Sequence, residues 1–150
     1  SSIVLAAVQS ARDKAMVAKA KSDGLQIVNA IRYAQGETYK VLKNFAPDTN
    51  WTAGTCTFGG LLPTTQACFD KINLAMSEIE GNTAGLYINL PRRDPWGVPY
   101  QFDANYGENV GGNYCFRDSF YLVKPDATSR PIPGLALIPR YPPYPGCPSD

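Results

Sequence analysis

The first forty or so residues carry no proline and consist largely of good helix formers, and this stretch constrains the fold more than any other. The first proline of the chain is Pro47, and helix formers dominate from Ile3 to about Leu42. The sequence therefore predicts one long helix over residues 1–42. An apolar stripe with spacings of three and four residues runs along the second half of this helix, which is typical of a helix that lies on a sheet. Its members are Val17, Ala20, Gly24, Ile27, Val28, Ile31 and Ala34.

The first half of the predicted helix has a different surface. Small apolar residues are spread around more of its circumference, namely Ala6, Ala7, Ala11 and Ala15. A helix that is apolar on several sides needs neighbours on several sides, so we expect these residues to contact other helices. The alternative is an Ala-rich terminus that is helical on propensity alone. Charged residues lie largely off the apolar stripe: Arg12, Lys14, Lys19, Lys21 and Asp23.

Residues 43–84 are predicted to form a loop that contains a shorter helix. Turn-forming residues are frequent from 44 to 66. The stretch "TTQACFDKINLAMSEIEG" is typical of a helix that is capped by Thr64 or Thr65 and ends at Gly81. Its apolar face is predicted to comprise Phe69, Ile72, Leu74, Ala75, Met76 and Ile79.

From Gly85 onward the hydrophobic period changes to two, which indicates β-strands. The predicted strands are "LYINL", "VPYQFDA", "NYCFRDSFYLVKP" and "GLALIPRY", and short turns between them favour antiparallel pairing. A proline-rich tail follows from Pro131. The predicted fold class is therefore α+β: a single domain over residues 1–150, in which the long helix packs on an antiparallel β-sheet and the sheet and tail occupy residues 85–150.

The stretch "DPWG", formed by Asp94, Pro95, Trp96 and Gly97, predicts a turn that starts a strand. Proline presets φ, Asp can hydrogen-bond its own turn backbone, and glycine supplies a permissive backbone position. Val98, Tyr100 and Phe102 would then share one strand face. We expect the helix stripe to cover that face, which makes the stretch a structural corner and not a reactive site.

The four cysteines are Cys56, Cys68, Cys115 and Cys147. None has C-x-x-C spacing, and an even count in loop-like surroundings favours two structural disulfides in an oxidising compartment. Three connectivities are open, of which we prefer Cys56–Cys68 and Cys115–Cys147, because each closes one local loop. The alternative is four buried free thiols. No segment approaches the roughly 20 apolar residues of a membrane-spanning helix.

The composition argues against catalysis and against nucleic acid as a partner. The chain has no histidine and a formal net charge of +1, which removes histidine acid–base chemistry and any electrostatic reason to bind nucleic acid. No serine or cysteine has the surroundings of a nucleophile, so we predict no enzymatic activity. No cofactor is expected, although oxygen-rich loops around Asp103 and Asp126 leave calcium open.

Two stretches resemble type IV pilins and the pseudopilins of type II secretion. One is "LAAVQSARDKAMVAKAKSDGLQIVNAIRYAQ", which is similar to the exposed half of the long pilin helix. The other is "DPWGVPYQF" at 94–102, which is similar to the D-P-W-G-x-P-Y element of major pseudopilins. Together they cover about a third of the chain. A cysteine-tethered C-terminal loop looks more like true pilins, so the chain mixes the two patterns.

The resemblance implies a structural protein. Identical or related subunits would assemble through the N-terminal helix into a pilus or a pseudopilus, with Ala6, Ala7, Ala11 and Ala15 as filament-packing residues. It also implies an apolar helical segment before Ser1 as the only membrane contact, inner-membrane assembly machinery as a partner, and an extracytoplasmic location at the cell surface or in the periplasm. Asp126 aligns approximately with one ligand of the pseudopilin calcium loop.

A second function from a different class is a secreted, adhesin-like module that binds a carbohydrate or another surface ligand. Its basis is a set of loop aromatics, since aromatic rings are common stacking platforms. The candidates are Trp51, Tyr106, Tyr141 and Tyr144.

Overall fold

The computed structural model describes residues 2–46, 66–104, 106, 115, 118–123, 129–130 and 146–147. Helix α1 spans Ser2–Thr38, a 3-10 turn spans Leu42–Asn44, and helix α2 spans Gln66–Gly81. Three short strands follow, β1 (Gln101–Asp103), β2 (Ser119–Val123) and β3 (Ser129–Arg130).

Helix α1 confirms the predicted long helix but ends earlier than residue 42. Tyr39 takes a left-handed φ of 53° and its N–H donates to the carbonyl of Gln35 at 2.8 Å, which closes the helix as a C-terminal cap. The predicted stripe is buried from Ala20 onward, where Ala20, Ile27 and Ile31 are 0% exposed. Val17, its first member, remains exposed at the edge of the core.

Helix α2 ends at Gly81 as predicted, and the capping threonines lie outside the described residues. Its buried face matches the predicted face at Ile72, Ala75, Met76 and Ile79. Leu74 is the exception, because it points away from the core and is 54% exposed. Cys68 is buried on the inward face.

The prediction of an α+β fold is wrong, because the described part of the chain is mainly helical. Its two helices have 37 and 16 residues, whereas the strands have three, five and two. Helix α1 packs against α2, and one cluster joins Ala20–Ala34 of α1 to α2, Leu42, Leu90, Tyr100 and Ala104. The place predicted for a sheet is therefore taken by α2 and by the irregular chain after it.

The stretch "LYINL" is not the predicted strand. Ala84, Gly85 and Asn89 have φ angles of 51°, 81° and 55°, and left-handed residues interrupt an extended chain. Leu86 and Ile88 point to solvent. The ring of Tyr87 turns inward, with its centroid 6.2 Å from that of Tyr33.

The predicted second and third strands form only in part. Strand β1 pairs antiparallel with β2, with Phe102 opposite Phe120, and β2 pairs antiparallel with β3. These pieces are too short to give the chain the predicted class. The strand predicted at "GLALIPRY" lies outside the described residues.

The Cys115–Cys147 disulfide is present, with the two Cα atoms 5.3 Å apart. Cys68 is disulfide-bonded as well. Its predicted pairing with Cys56 falls on a residue outside the described ranges.

Candidate functional site

The first half of α1 lies apart from the hydrophobic core. Every residue from 4 to 15 is exposed, and the first buried one is Ala20. Val4, Leu5 and Val8 are 67%, 76% and 61% exposed. The alanines predicted to pack against other helices, Ala6, Ala7, Ala11 and Ala15, all belong to this exposed half. Because large apolar side chains in water mark contact surfaces, this half of α1 is the strongest candidate for a binding site.

Exposed small and apolar residues of α1 form one line that runs beyond the exposed half. Their spacing alternates between four and three residues, which is the period of a coiled-coil seam, and they are Val4, Val8, Ala11, Ala15, Ala18, Ser22 and Leu25. We call this line the seam. With about 3.6 residues per turn, the seam lies on the side of α1 opposite Ala20, Ile27 and Ile31. The seam becomes visible only once the buried face of α1 is known.

The buried carboxylate of Asp23 ties α1 to the chain after the turn. The Tyr100 hydroxyl donates to Asp23 Oδ2 at 3.0 Å, and Lys19 Nζ donates to both carboxylate oxygens at 2.9 Å. Burial raises the pKa of Tyr100 and the charge of Asp23 raises it further, so the hydroxyl stays protonated and keeps donating. Asp23 is thus an anchoring residue, whereas the sequence places it off the packed stripe.

The "DPWG" stretch is the predicted turn, organised by the Asp94 carboxyl. Asp94 Oδ1 accepts hydrogen bonds from the N–H groups of Trp96 and Val98 at 2.9 and 2.8 Å. The N–H of Gly97, which has a φ of 85°, donates to the Asp94 carbonyl at 2.9 Å. Val98 and Tyr100 are buried and Tyr100 contacts α1 as expected, but both residues precede β1 and therefore do not lie on the predicted strand face. The turn is a structural corner, as the sequence predicts.

A second link joins the end of α2 to the chain before the turn. Glu80 receives two hydrogen bonds of 2.9 Å from the Arg92 guanidinium, one on each carboxylate oxygen, and another from the N–H of Leu90. The Arg92 hydrogen bonds hold the pKa of Glu80 below its usual value. The sequence does not reveal this pair, because scattered charges carry no signal of which two will meet.

The remaining predicted site residues do not converge on a site. Asp126, the calcium candidate, lies outside the described residues, as do Trp51, Tyr141 and Tyr144. Tyr106 is 1% exposed, so it is not the accessible stacking ring that the sequence suggests. Its N–H donates to Asp118 Oδ1 at 2.7 Å, which ties it into the interior.

Within the described ranges, acidic and cysteine side chains form no group of three or more that could hold a metal ion. Among the helices described, none combines the length and the apolar character needed to cross a bilayer.

Compared with protein-family models, with curated proteins and with solved structures, the chain matches none.

Proposed function

We propose that this chain is a structural subunit of a type IV pilus or of a type II secretion pseudopilus, which assembles with identical or related subunits through the N-terminal half of α1. The observation that carries the proposal is the exposed seam. It places apolar residues along the side of α1 that the described part of the molecule leaves uncovered. Burying such a surface favours association by about 25 cal/mol per Å² of apolar area.

The continuity of α1 supports this role. One uninterrupted helix runs from Ser2 to Thr38, so its exposed half is a direct extension of its packed half. The packed half is held by the core and by the Tyr100–Asp23 hydrogen bond. A contact made near Val4 would therefore be transmitted to the body of the subunit without a hinge.

The resemblance of the helix and of "DPWG" to pilins and pseudopilins supports the same proposal, although the fold class expected from it does not hold. The disulfides support an extracytoplasmic location, at the cell surface or in the periplasm, because such bonds persist in oxidising compartments. The inner-membrane assembly machinery and the apolar segment before Ser1 enter this proposal through the resemblance alone.

Ala7→Glu tests the proposal. Ala7 borders the seam beside Val4 and Ala11, so a carboxylate at this position would be desolvated in a helix–helix contact, which costs several kcal/mol. We therefore expect filament assembly by the full-length protein to be abolished. Ala7 is exposed, so the domain should keep its unfolding free energy within about 0.5 kcal/mol. Electron microscopy of sheared cell-surface and periplasmic fractions measures assembly, and urea unfolding measures stability.

Gln9→Glu is the matched control, since it adds the same charge two residues away, at an exposed position on the side of α1 opposite the seam. Filaments should form from this variant. Normal filaments from Ala7→Glu would show that the N-terminal half of α1 is not an assembly surface, and the proposal would be wrong.

A further inference from the structure

The two borders of the seam carry charge of one sign. Arg12 and Lys19 follow one edge, and Lys14 and Lys21 follow the other, so that the two heptads over residues 11–24 each have a cation on both sides. Lys19 is paired with Asp23. Arg12, Lys14 and Lys21 make no ion pair with any residue that the structure describes. The seam is thus an apolar strip between two basic edges.

This pattern argues against pairing of two seams with each other. In a parallel coiled coil, Lys14 of one copy would face Lys19 of the other, and an antiparallel arrangement would also bring the basic edges together. Like charges at such positions are destabilising. The occupant of the seam should instead carry acidic residues beside a small apolar strip.

The outward face of α2 has that complementary pattern. Ala67 and Leu74 lie two turns apart on this face, and both are exposed. Asp70 flanks the strip on one side and Glu78 on the other, both exposed and without an ion pair in the described part of the chain. Gln66 donates one hydrogen bond to Asp70. Lys71 precedes Glu78 by one heptad on the same edge, but it is partly buried whereas Glu78 is exposed.

We propose that the seam of one copy packs on the outward face of α2 in a second copy, with Asp70 and Glu78 against the basic edges. The spacings agree, since Asp70 and Glu78, on opposite sides of their strip, are about 12 Å apart along α2, and Arg12 and Lys21, on opposite edges of the seam, are about 13.5 Å apart along α1. The alanines of the seam allow the two helices to approach closely. This inference rests on the proposed function and names the partner surface within it.

The contact joins two different surfaces, so a pair of copies would still offer one unused seam and one unused α2 face. Such heterologous contacts propagate into open chains when their rotation does not close a ring. Within one molecule the seam and α2 cannot meet, because α2 packs on the opposite side of α1. The arrangement therefore favours a filament over a closed dimer.

Cysteine cross-linking tests the geometry. Ala18→Cys and Leu74→Cys proteins, mixed and oxidised under assembly conditions, should give a cross-linked dimer at least tenfold more abundant than either protein alone. Ala18→Cys mixed with Asn73→Cys is the matched control, because Asn73 is exposed one residue away on another side of α2. Ala18→Cys dimers as the main product would mean that seams pair with each other and would overturn the inference.

Charge exchange tests the electrostatics on the same samples. Arg12→Glu with Lys21→Glu, which reverses one cation on each edge, should weaken association at least tenfold by sedimentation velocity, and adding Asp70→Lys with Glu78→Lys should restore it to within about threefold. Unchanged association of the first variant contradicts the inference. Filaments that form without the 18–74 cross-link refute the inference and leave the proposed function standing, whereas a full-length protein that never assembles refutes both.

Discussion

At the residue scale, the carboxyl of Asp94 is held in a buried position, and burial disfavours its charged form. Its Oδ1 is satisfied by two backbone N–H groups, while its buried Oδ2 has no hydrogen-bond partner in the described part of the molecule. Burial raises the pKa of Asp94, and the hydrogen bonds from Val98, Trp96 and Gly97 offset this only in part. Asp94 thus serves the turn as a hydrogen-bond acceptor, while its burial opposes the charged form.

The raised pKa of Asp94 predicts a stability that falls with rising pH. The folded state holds its proton to a higher pH than the unfolded state, whose pKa is near 3.8. The unfolding free energy should therefore decline as the pH rises from 3.8 through the folded-state pKa. Asp94→Asn keeps the hydrogen-bond acceptor and loses the charge. The unfolding free energy of this variant, relative to that of the unmodified protein, should therefore increase as the pH rises across that range. Urea titrations at several pH values measure the difference.

Asp94→Ala is the matched comparison, because it removes the acceptor. It leaves two buried N–H groups unpaired and should lose about 1–3 kcal/mol. If Asp94→Ala is as stable as Asp94→Asn, the carboxyl does not organise the turn. Asp13→Asn, on the exposed half of α1, should show neither effect.

The residues of the turn could be predicted and those of the anchor could not, for a physical reason. The hydrogen bonds of Asp94 reach residues two and four positions away, so the local sequence determines them. Asp23 is bound by Tyr100, 77 positions away, and a lone acid near an apolar stripe is ordinarily a solvent-exposed residue. Only the packing of α1 brings these two together.

At the scale of elements, the Glu80–Arg92 pair fixes the direction in which the chain leaves α2. Both side chains are partly buried, with 18% and 31% of their area exposed. Hydrogen bonds on both oxygens of a carboxylate are stronger and more directional than a single contact. The link ties the last turn of α2 to the irregular chain that leads into the "DPWG" turn.

Glu80→Gln should lower the unfolding free energy by about 1–3 kcal/mol near neutral pH. The folded-state pKa of Glu80 is lowered from 4.5, so this stabilisation is present above pH 4.5 and is lost as the pH falls through the folded-state pKa. The difference between the two proteins should therefore vanish in acid. Glu78→Gln, an exposed neighbour on the same helix, is the control; an equal loss there would refute the role of Glu80.

The two helices could be predicted from the sequence because their signals are local. The class of the fold could not be predicted in the same way. The three-to-four spacing marks which side of α1 is buried but not what covers it, and α2 covers it in place of a sheet. The alternation in "LYINL" is typical of a strand, yet Ala84, Gly85 and Asn89 take left-handed conformations. Alternation alone cannot report backbone angles, so the strand prediction fails there.

At the scale of the whole molecule, the hydrophobic core and the loop closed by Cys115 and Cys147 occupy different parts of the chain. The core cluster of the described residues lies between Ala20 and Ala104. The disulfide joins Cys115 to Cys147 and encloses β2 and β3. The helical body, which contains the separately bonded Cys68, is therefore expected to be stable without the Cys115–Cys147 disulfide, which acts on the strands that follow it.

Replacing Cys115 and Cys147 with serine tests this division. A loop of 32 residues would account for about 4 kcal/mol if the chain unfolded as one unit. Because the core lies outside the loop, we expect the unfolding free energy of the helical part to fall by less than about 1 kcal/mol. Urea unfolding followed by the helical circular dichroism signal measures this change. Amide exchange in β2 and β3 should accelerate at least tenfold while that in α1 is unchanged. A loss near 4 kcal/mol, with α1 exchanging faster as well, would show that loop and core unfold together. Thiol titration of the denatured, unreduced parent protein, which should find no free cysteine, checks that the starting protein is fully oxidised.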